Sequence, residues 1–285
     1  MELRHVAART GRLASFLKGE LKMSTGLMNR LKWGENLIVN GQPQWTNYMV
    51  QPGDQIRVRM EEPKMDYPAE EGALSVLYED DAILAVDKPA GMLIHPSPGQ
   101  NHGTLANLVK GYYEKTGQES AFHPLTRLDR DTFGIVLLAK NAYVHALLQD
   151  TRVTKTYHAI VLGGPTEDAG VIEAPIARKS LPSLLREIRE DGKPSRTEFS
   201  VLWRENGMAK LALMPVTGRT HQLRLHCAHM GCPILGDPQY ATEESKARSR
   251  VLGLQHQLLC AARLHFTHPI TGQTMEICSR MDANV

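Results

Sequence analysis

The sequence predicts an α+β fold: a largely antiparallel, mixed sheet in the main body, with a small α/β unit ahead of it. Three observations carry that reading. Strand-like and helix-like segments follow one another without the strict βαβ rhythm of a parallel sheet. A charged stretch with two prolines, Glu61 to Gly72, stands between a short first pattern and a long second one. Hydrophobic residues make up 42% of 285 positions, enough to build a real core. The expected boundaries are residues 1–60 for the small unit, 61–72 for a linker and 73–285 for the large unit.

In the small unit the recognisable pattern runs from about Thr10 to Met60. Leu13, Phe16, Leu17 and Leu21 recur at helical spacing, with Lys18 and Lys22 off the apolar face. Ser24 is placed to cap a second helix carrying Leu27, Arg30, Leu31 and Lys32, with Gly34 as its stop. "LIVNG" reads as a short strand entering an Asn-Gly turn. "VQPGDQIRVRM" reads as a Pro-Gly-Asp turn entering an alternating strand.

In the large unit "LSVLYEDDAILAVDKPAGMLIHP" gives strand, acidic turn, strand, then a Lys-Pro-Ala-Gly turn. "TLANLVKGYYEK" is helical, "GIVLLAK" is a buried strand and "AYVHALLQD" is a helix after it. "TYHAIVLG", "RTEFSVLW" and "MAKLALMPV" are strands, and "GRTHQLRLHCAHMG" is a helix ending at Gly231.

Lys and Arg total 33 against 31 Asp and Glu, a net charge of +2, which leaves a nucleic-acid partner to be decided by clustering. The four cysteines have no disulfide-framework spacing. The first residues, "MELRHVAART", lack an apolar leader core, and no apolar run reaches membrane-spanning length. The expected setting is therefore cytoplasmic, with no membrane partner.

Chemistry has four places to sit: Asp129 with Arg127 and Arg130, Lys155 with Tyr157, the loop and strand "GKPSRTEF", and "TGRTHQLRLH". By spacing alone each is equally well a turn, a strand edge or a polar helix face. His221, His226, Cys227, His229 and Cys232 crowd one stretch. No tight cysteine pair has a matching second pair, and His221 and His226 fall on different faces of a helix, so no metal is expected. A Gly-x-Ser-x-Gly elbow and Gly-rich phosphate loops are missing from the sequence, which removes the usual hydrolase and nucleotide chemistries.

Two resemblances go further. "GENLIVNG" and "GDQIRV" after a helix pair resemble the S4 RNA-binding domain, with Ser24-Thr25 where that family has Ser-Arg. This makes Lys18, Lys22, Arg30 and Lys32 its RNA-binding candidates; read without the resemblance they are solvating charges. From Leu74 to about Arg280 the chain resembles the RluA-type RNA pseudouridine synthases. The matching blocks are "TRLDRDTFG", "KTYHAIVLG", "GKPSRTEF" and "TGRTHQLRLHCAHMGCPILGDPQY", flanked by "YEDDAILAVDKPAGMLIHP" and "LHFTHPITG".

That resemblance implies a pseudouridine synthase catalytic domain isomerising uridine in ribosomal or transfer RNA, without cofactor or metal. It makes Asp129 the essential carboxylate, acting as nucleophile at C1′ or as base at C2′. Arg224 becomes its ionic partner, Tyr157 the ring that stacks on uracil, and Leu225 the apolar wall opposite. Arg127 is the candidate to enter the space left by a flipped base, and Thr132 and Lys155 are further substrate-binding candidates. No protein partner is implied, and a monomer is the expectation. The chain departs from the family pattern at Thr126 (usually His), Phe133 (usually Ser) and Ser195 (usually Ala). Two rival readings stand beside this one: an RNA-binding protein that kept the fold and lost turnover, and a glycosyl hydrolase pairing Asp129 with Asp131.

Overall fold

A computed structural model of the chain describes residues 2–32, 35–62, 64–180 and 185–284. A ten-stranded mixed sheet organises the large unit. Its main path runs Ala169–Glu173, Arg196–Glu205, Met208–Pro215, Thr154–Leu162, Leu259–Thr267, Phe133–Ala139, Ile83–Lys88 and Ser75–Glu79. Among the described residues its ladders are antiparallel except one, between Phe133–Ala139 and Leu259–Thr267. The α+β expectation and the antiparallel bias both hold.

The apolar run Phe133–Ala139 is buried at all seven positions because it is central and covered on both faces. Ile135, Leu137 and Ala139 join a cluster with Val144 and Leu148 of the helix Ala142–Asp150. Val136 and Leu138 join a cluster with Leu105, Val109 and Tyr113 of the helix Leu105–Lys115. Both helices start where the sequence supplies a cap. Thr104 and Asn107 form a reciprocal capping box, and the Asn141 side chain accepts from Val144 N–H at 2.9 Å. Asp129 sits just before this strand, in a turn in which Thr132 N–H donates to the Asp129 carbonyl. Gly134 is required here: its φ is +102°, and a Cβ would lie 2.5 Å from the Ala261 carbonyl oxygen.

The N-terminal unit is a four-stranded sheet ordered Glu2–Val6, Gln55–Arg59, Leu37–Val39 and Gln42–Pro43, with two helices, Leu13–Gly19 and Thr25–Leu31. Ser24 caps the second helix by accepting from Leu27 N–H, as expected; Gly34, its expected stop, lies outside the described residues. The first helix is shorter than its apolar spacing suggests. It ends at Gly19, and Lys22 takes a left-handed φ of +52°, so Leu21 packs from beyond the helix. Asn40 and Gly41, with φ of +50° and +83°, form the expected hairpin turn. The edge strand Glu2–Val6 lies ahead of the pattern that starts at Thr10; its alternation is carried by Leu3 and His5, too few residues to read from sequence.

Phe16, Leu17, Ile56 and Val58 share one apolar cluster with Ile135, Leu137 and Val144, so the two units are packed together. Tyr143 Oη donates to the Leu21 carbonyl at 2.9 Å. The described part of 61–72 contains no helix or strand and is tied to the large unit. Glu62 accepts from Ala142 N–H and contacts His123, while Lys110 Nζ donates to the carbonyls of Met65 and Tyr67.

Candidate active site

The turn holding Asp129 meets the start of the helix Gln222–His229 across a cleft of about 620 Å³. Arg127, Leu128, Asp129 and Thr132 line it from the turn, and Lys155 and Tyr157 from the strand Thr154–Leu162. Lys155 and Tyr157 are two apart and so share a strand face. A bulge between Thr156 and Tyr157 in the ladder with Leu259–Thr267 locally shifts the register there. The other wall comes from residues Pro215 to Arg224.

Arg224 organises the centre. Its Nε donates to Asp237 Oδ2 at 2.7 Å and its Nη2 to Asp237 Oδ1 at 2.8 Å, a bidentate pair sealed from solvent. Nη2 also reaches Gln239 Oε1 at 2.9 Å, and the guanidinium lies 5.0 Å from the Tyr240 ring centroid. The remaining nitrogen, Nη1, donates to Asp129 Oδ2 at 3.2 Å. Burial alone would push the Asp237 carboxyl up. Arg224 and the N–H groups of Gln239 and Tyr240 outweigh it and hold it below its ordinary range.

His221 faces the same oxygen, its Nε2 3.8 Å from Asp129 Oδ2. It takes a left-handed φ of +58° at the start of the helix, and its Nδ1 lies 2.7 Å from Tyr240 Oη. Burial is the main cause that lowers its pKa, favouring the neutral ring. Asp129 Oδ1 accepts no hydrogen bond among the described residues, so it is the oxygen left for a ligand in the cleft. The Tyr157 hydroxyl is pushed well above its ordinary pKa, first by burial and then by the Asp129 charge. Burial also lowers the Lys155 ammonium.

The order of "HQLRLH" now has a physical reason. Gln222 and His226, four apart, lie on one helix face and both bind Thr197: Gln222 Nε2 donates to Thr197 Oγ1 at 3.0 Å, and His226 Nδ1 lies 2.8 Å from it. Gln222 Oε1 also accepts from Thr217 Oγ1 and Arg219 N–H, which fixes the cleft wall. Arg224, between them in sequence, points the other way to Asp129. His221 and His226 indeed serve different faces. Cys227 and Cys232 pack in an apolar cluster with Leu223 and Ile234.

Six of the sequence-derived site residues meet here: Arg127, Asp129, Thr132, Lys155, Tyr157 and Arg224. Leu225 does not; it is buried away from the cleft, and Leu223, two positions earlier on the helix, lines it instead. Lys18, Lys22 and Arg30 are exposed on the N-terminal unit, and Lys32 is half-buried there. Thr126 is buried and accepts from Leu137 N–H at 3.3 Å, a sheet-supporting bond rather than a cleft contact. Phe133 fills a pocket with Ala90, Cys260, Ala262 and Met281, turned away from the cleft that its neighbour Thr132 lines.

Sequence reasoning gave no role to Asp237, Tyr240, Gln257 or Lys88, and weighed His221 only as a metal ligand and rejected it. Gln257 Nε2 donates to Thr132 Oγ1 at 2.7 Å, across 125 positions. Lys88, fully buried, donates to the carbonyls of Pro89, Met92 and Arg130 at 2.8 to 2.9 Å and so ties the Asp129 turn to the next strand. The only signal for Lys88 was a lysine at the end of a strand that is otherwise apolar apart from Asp87.

Fold and site define an α+β protein with a carboxylate-centred cleft. A family profile described as RNA pseudouridylate synthase matches residues 82–229, the stretch that holds Asp129, Tyr157 and Arg224. The uncharacterized RNA pseudouridine synthase YlyB of Bacillus subtilis (strain 168) is 38% identical over 248 residues, 84% of this chain and 80% of that protein. Ribosomal large subunit pseudouridine synthase D of Nitrosomonas europaea is 36% identical over 231 residues, 78% of this chain and 67% of that one. Among solved structures, human RNA Pseudouridylate Synthase Domain Containing 1 aligns with a TM-score of 0.58 at 27% identity, covering 73% of this chain and 85% of that one. The chain belongs to the RNA pseudouridylate synthase family, whose members are RNA-modifying isomerases.

Proposed function

We propose that this enzyme converts specific uridines in folded RNA to pseudouridine with Asp129 as the essential carboxylate. Ribosomal RNA is the first substrate class, by its likeness to a relative named for the ribosomal large subunit, and transfer RNA the second. The uracil N1–C1′ bond breaks, the base turns in the cleft, and C5 bonds to C1′ while its proton is lost and N1 is reprotonated. The rearrangement is redox-neutral, so no cofactor is called for.

The observation that carries this reading is Asp129 held by Arg224 through Oδ2, with Oδ1 left for the sugar and Tyr157 lining the same cleft. The arginine sets its positive charge against the carboxylate and fixes its direction through a charge-assisted hydrogen bond. Tyr157 offers a stacking face that still permits the base to rotate. The target nucleotide is flipped out to reach Asp129, and exposed Arg127 enters the gap it leaves. Residues 1–60 act as an S4-like RNA-binding domain through Lys18, Lys22, Arg30 and Lys32. The enzyme works as a cytoplasmic monomer.

The test maps pseudouridine by carbodiimide-dependent reverse-transcription stops in RNA from cells with and without the gene. A stop lost on deletion, restored by the wild type and not by Asp129→Asn, is expected. Identical maps in all strains would overturn the reading in favour of an RNA-binding protein without turnover.

A further inference from the structure

The N-terminal sheet has two faces. Ile56 and Val58 point inward, into the cluster that holds Phe16 and Leu17 of the first helix. Alternation therefore turns Arg57 and Arg59 outward, on the side away from the helices. The antiparallel register sets Arg4 directly opposite Arg57 and Glu2 opposite Arg59. Three arginines thus share one open face with a single carboxylate. Glu2 is engaged by Arg4 at 2.8 Å and by Arg59 at 3.5 Å. The Arg57 side chain makes no hydrogen bond or ion pair among the described residues, although the Glu2 charge acts on it, and its Nε is enclosed without an acceptor.

Two features resist a purely structural explanation. Like charges placed directly opposite across a ladder destabilise it, yet Arg4 faces Arg57. Charged residues that protect a sheet edge explain Arg4, on the edge strand Glu2–Val6. They do not explain Arg57 and Arg59, whose strand has neighbours on both sides.

We propose that this outer face is a second RNA contact, in which Arg4, Arg57 and Arg59 bind backbone phosphates of the substrate RNA at a distance from the reacting uridine. The inference rests on the reading of the chain as an RNA-modifying enzyme. Positive charge on an open sheet selects a polyanion, and guanidinium forks suit phosphate oxygens. Residues two apart on a strand stand about 7 Å apart, so extended arginine arms can engage separate phosphates of one strand. The contact carries no base information; it adds affinity and orients the RNA.

The test is filter binding of the full-length protein to protein-free large-subunit ribosomal RNA across a potassium chloride series. The variant combining Arg4→Gln, Arg57→Gln and Arg59→Gln is compared with the wild type. Its affinity should fall roughly tenfold at moderate salt, and the slope of log K against log salt should become shallower by about 2 to 3. Its kcat at saturating RNA should stay unchanged. Wild-type affinity and slope in a variant that melts normally would overturn the proposal, and would leave open an acidic protein as occupant of the face. If the triple variant does not fold, Arg4→Glu alone decides. Its side chain is 77% exposed, and a loss of about 1 or more in slope is expected, while no change overturns the proposal. A wild type that neither binds nor modifies RNA would overturn the proposed function as well. Modification with an unchanged triple variant would remove only this inference.

Discussion

Arg224 is shared by two carboxylates: Nε and Nη2 are locked onto buried Asp237 at 2.7 and 2.8 Å, and Nη1 is offered to Asp129 in the cleft at 3.2 Å. The closed pair fixes the direction of the open one. Asp237 thus acts on the cleft through the arginine, and its own carboxylate is kept in place by the N–H groups of Gln239 and Tyr240.

Asp237→Asn should therefore damage both folding and turnover. Removing one partner of a buried ion pair leaves the other charge uncompensated and destabilises by about 3 to 5 kcal/mol. With Arg224 free to swing, turnover should drop on the order of a hundredfold, with a smaller change in KM. Thermal denaturation and single-turnover kinetics read the two effects separately. An unchanged rate in the folded variant would show that Asp237 does not aim Arg224.

His221 predicts a graded series. His221→Gln retains an N–H near the Nε2 position facing Asp129 Oδ2, and His221→Ala does not. The alanine variant should lose roughly tenfold or more in kcat, with partial rescue in the glutamine variant. Tyr240→Phe, which removes the hydroxyl 2.7 Å from Nδ1, should fall between wild type and alanine. Equal rates in all three would assign His221 to loop geometry alone.

Lys88 makes a pH prediction. Burial lowers its ammonium to about 8 from 10.5, opposed in part by the charges of Asp131 and Asp129. The unfolded chain keeps that proton to the higher value. Between about pH 8 and 10.5 it therefore binds more protons than the folded chain, and Lys88 makes stability rise with pH. Below that window both states are protonated and the group adds no slope. Denaturant titrations in this range should show a slope of stability against pH that is more positive in wild type than in Lys88→Met. That variant should also be less stable overall by roughly 1 to 3 kcal/mol, with three carbonyls losing their donor.

Phe133→Ser restores the residue usual in RluA-type sequences, yet should harm the protein. The ring fills a pocket formed by Ala90, Cys260, Ala262 and Met281, and emptying it should cost about 3 to 5 kcal/mol. Because Phe133 faces away from the cleft, the set of modified uridines should stay the same. A changed pseudouridine map with unchanged melting would contradict this placement.

Local rules carried much of the fold. The caps at Ser24, Thr104 and Asn141, the turn at Asn40-Gly41 and the buried run Phe133–Ala139 are decided within a few residues of themselves. The edge strand Glu2–Val6 and the early end of the first helix at Gly19 were not legible. Each depends on a partner elsewhere, in Gln55–Arg59 for the strand and in the packing of Leu21 for the helix.

The site divides along the same line. The motif residues Arg127, Asp129, Thr132, Lys155, Tyr157 and Arg224 could be named from the chain through its resemblance to the RluA-type motifs, where spacing alone left each of them open. Whether a leucine two places along lines the cleft is a matter of helix rotation, which put Leu223 there and Leu225 in the interior. Asp237, Gln257 and Lys88 act across 13, 125 and 42 positions, and no spacing rule links such pairs. The sequence by itself determined the fold class and named six residues that line the cleft, because periodicity, capping and motif order are written along the chain. Only the tertiary structure decided which charges face one another across the cleft and which oxygen of Asp129 stays open. Those depend on distances between segments that meet nowhere but in the folded sheet.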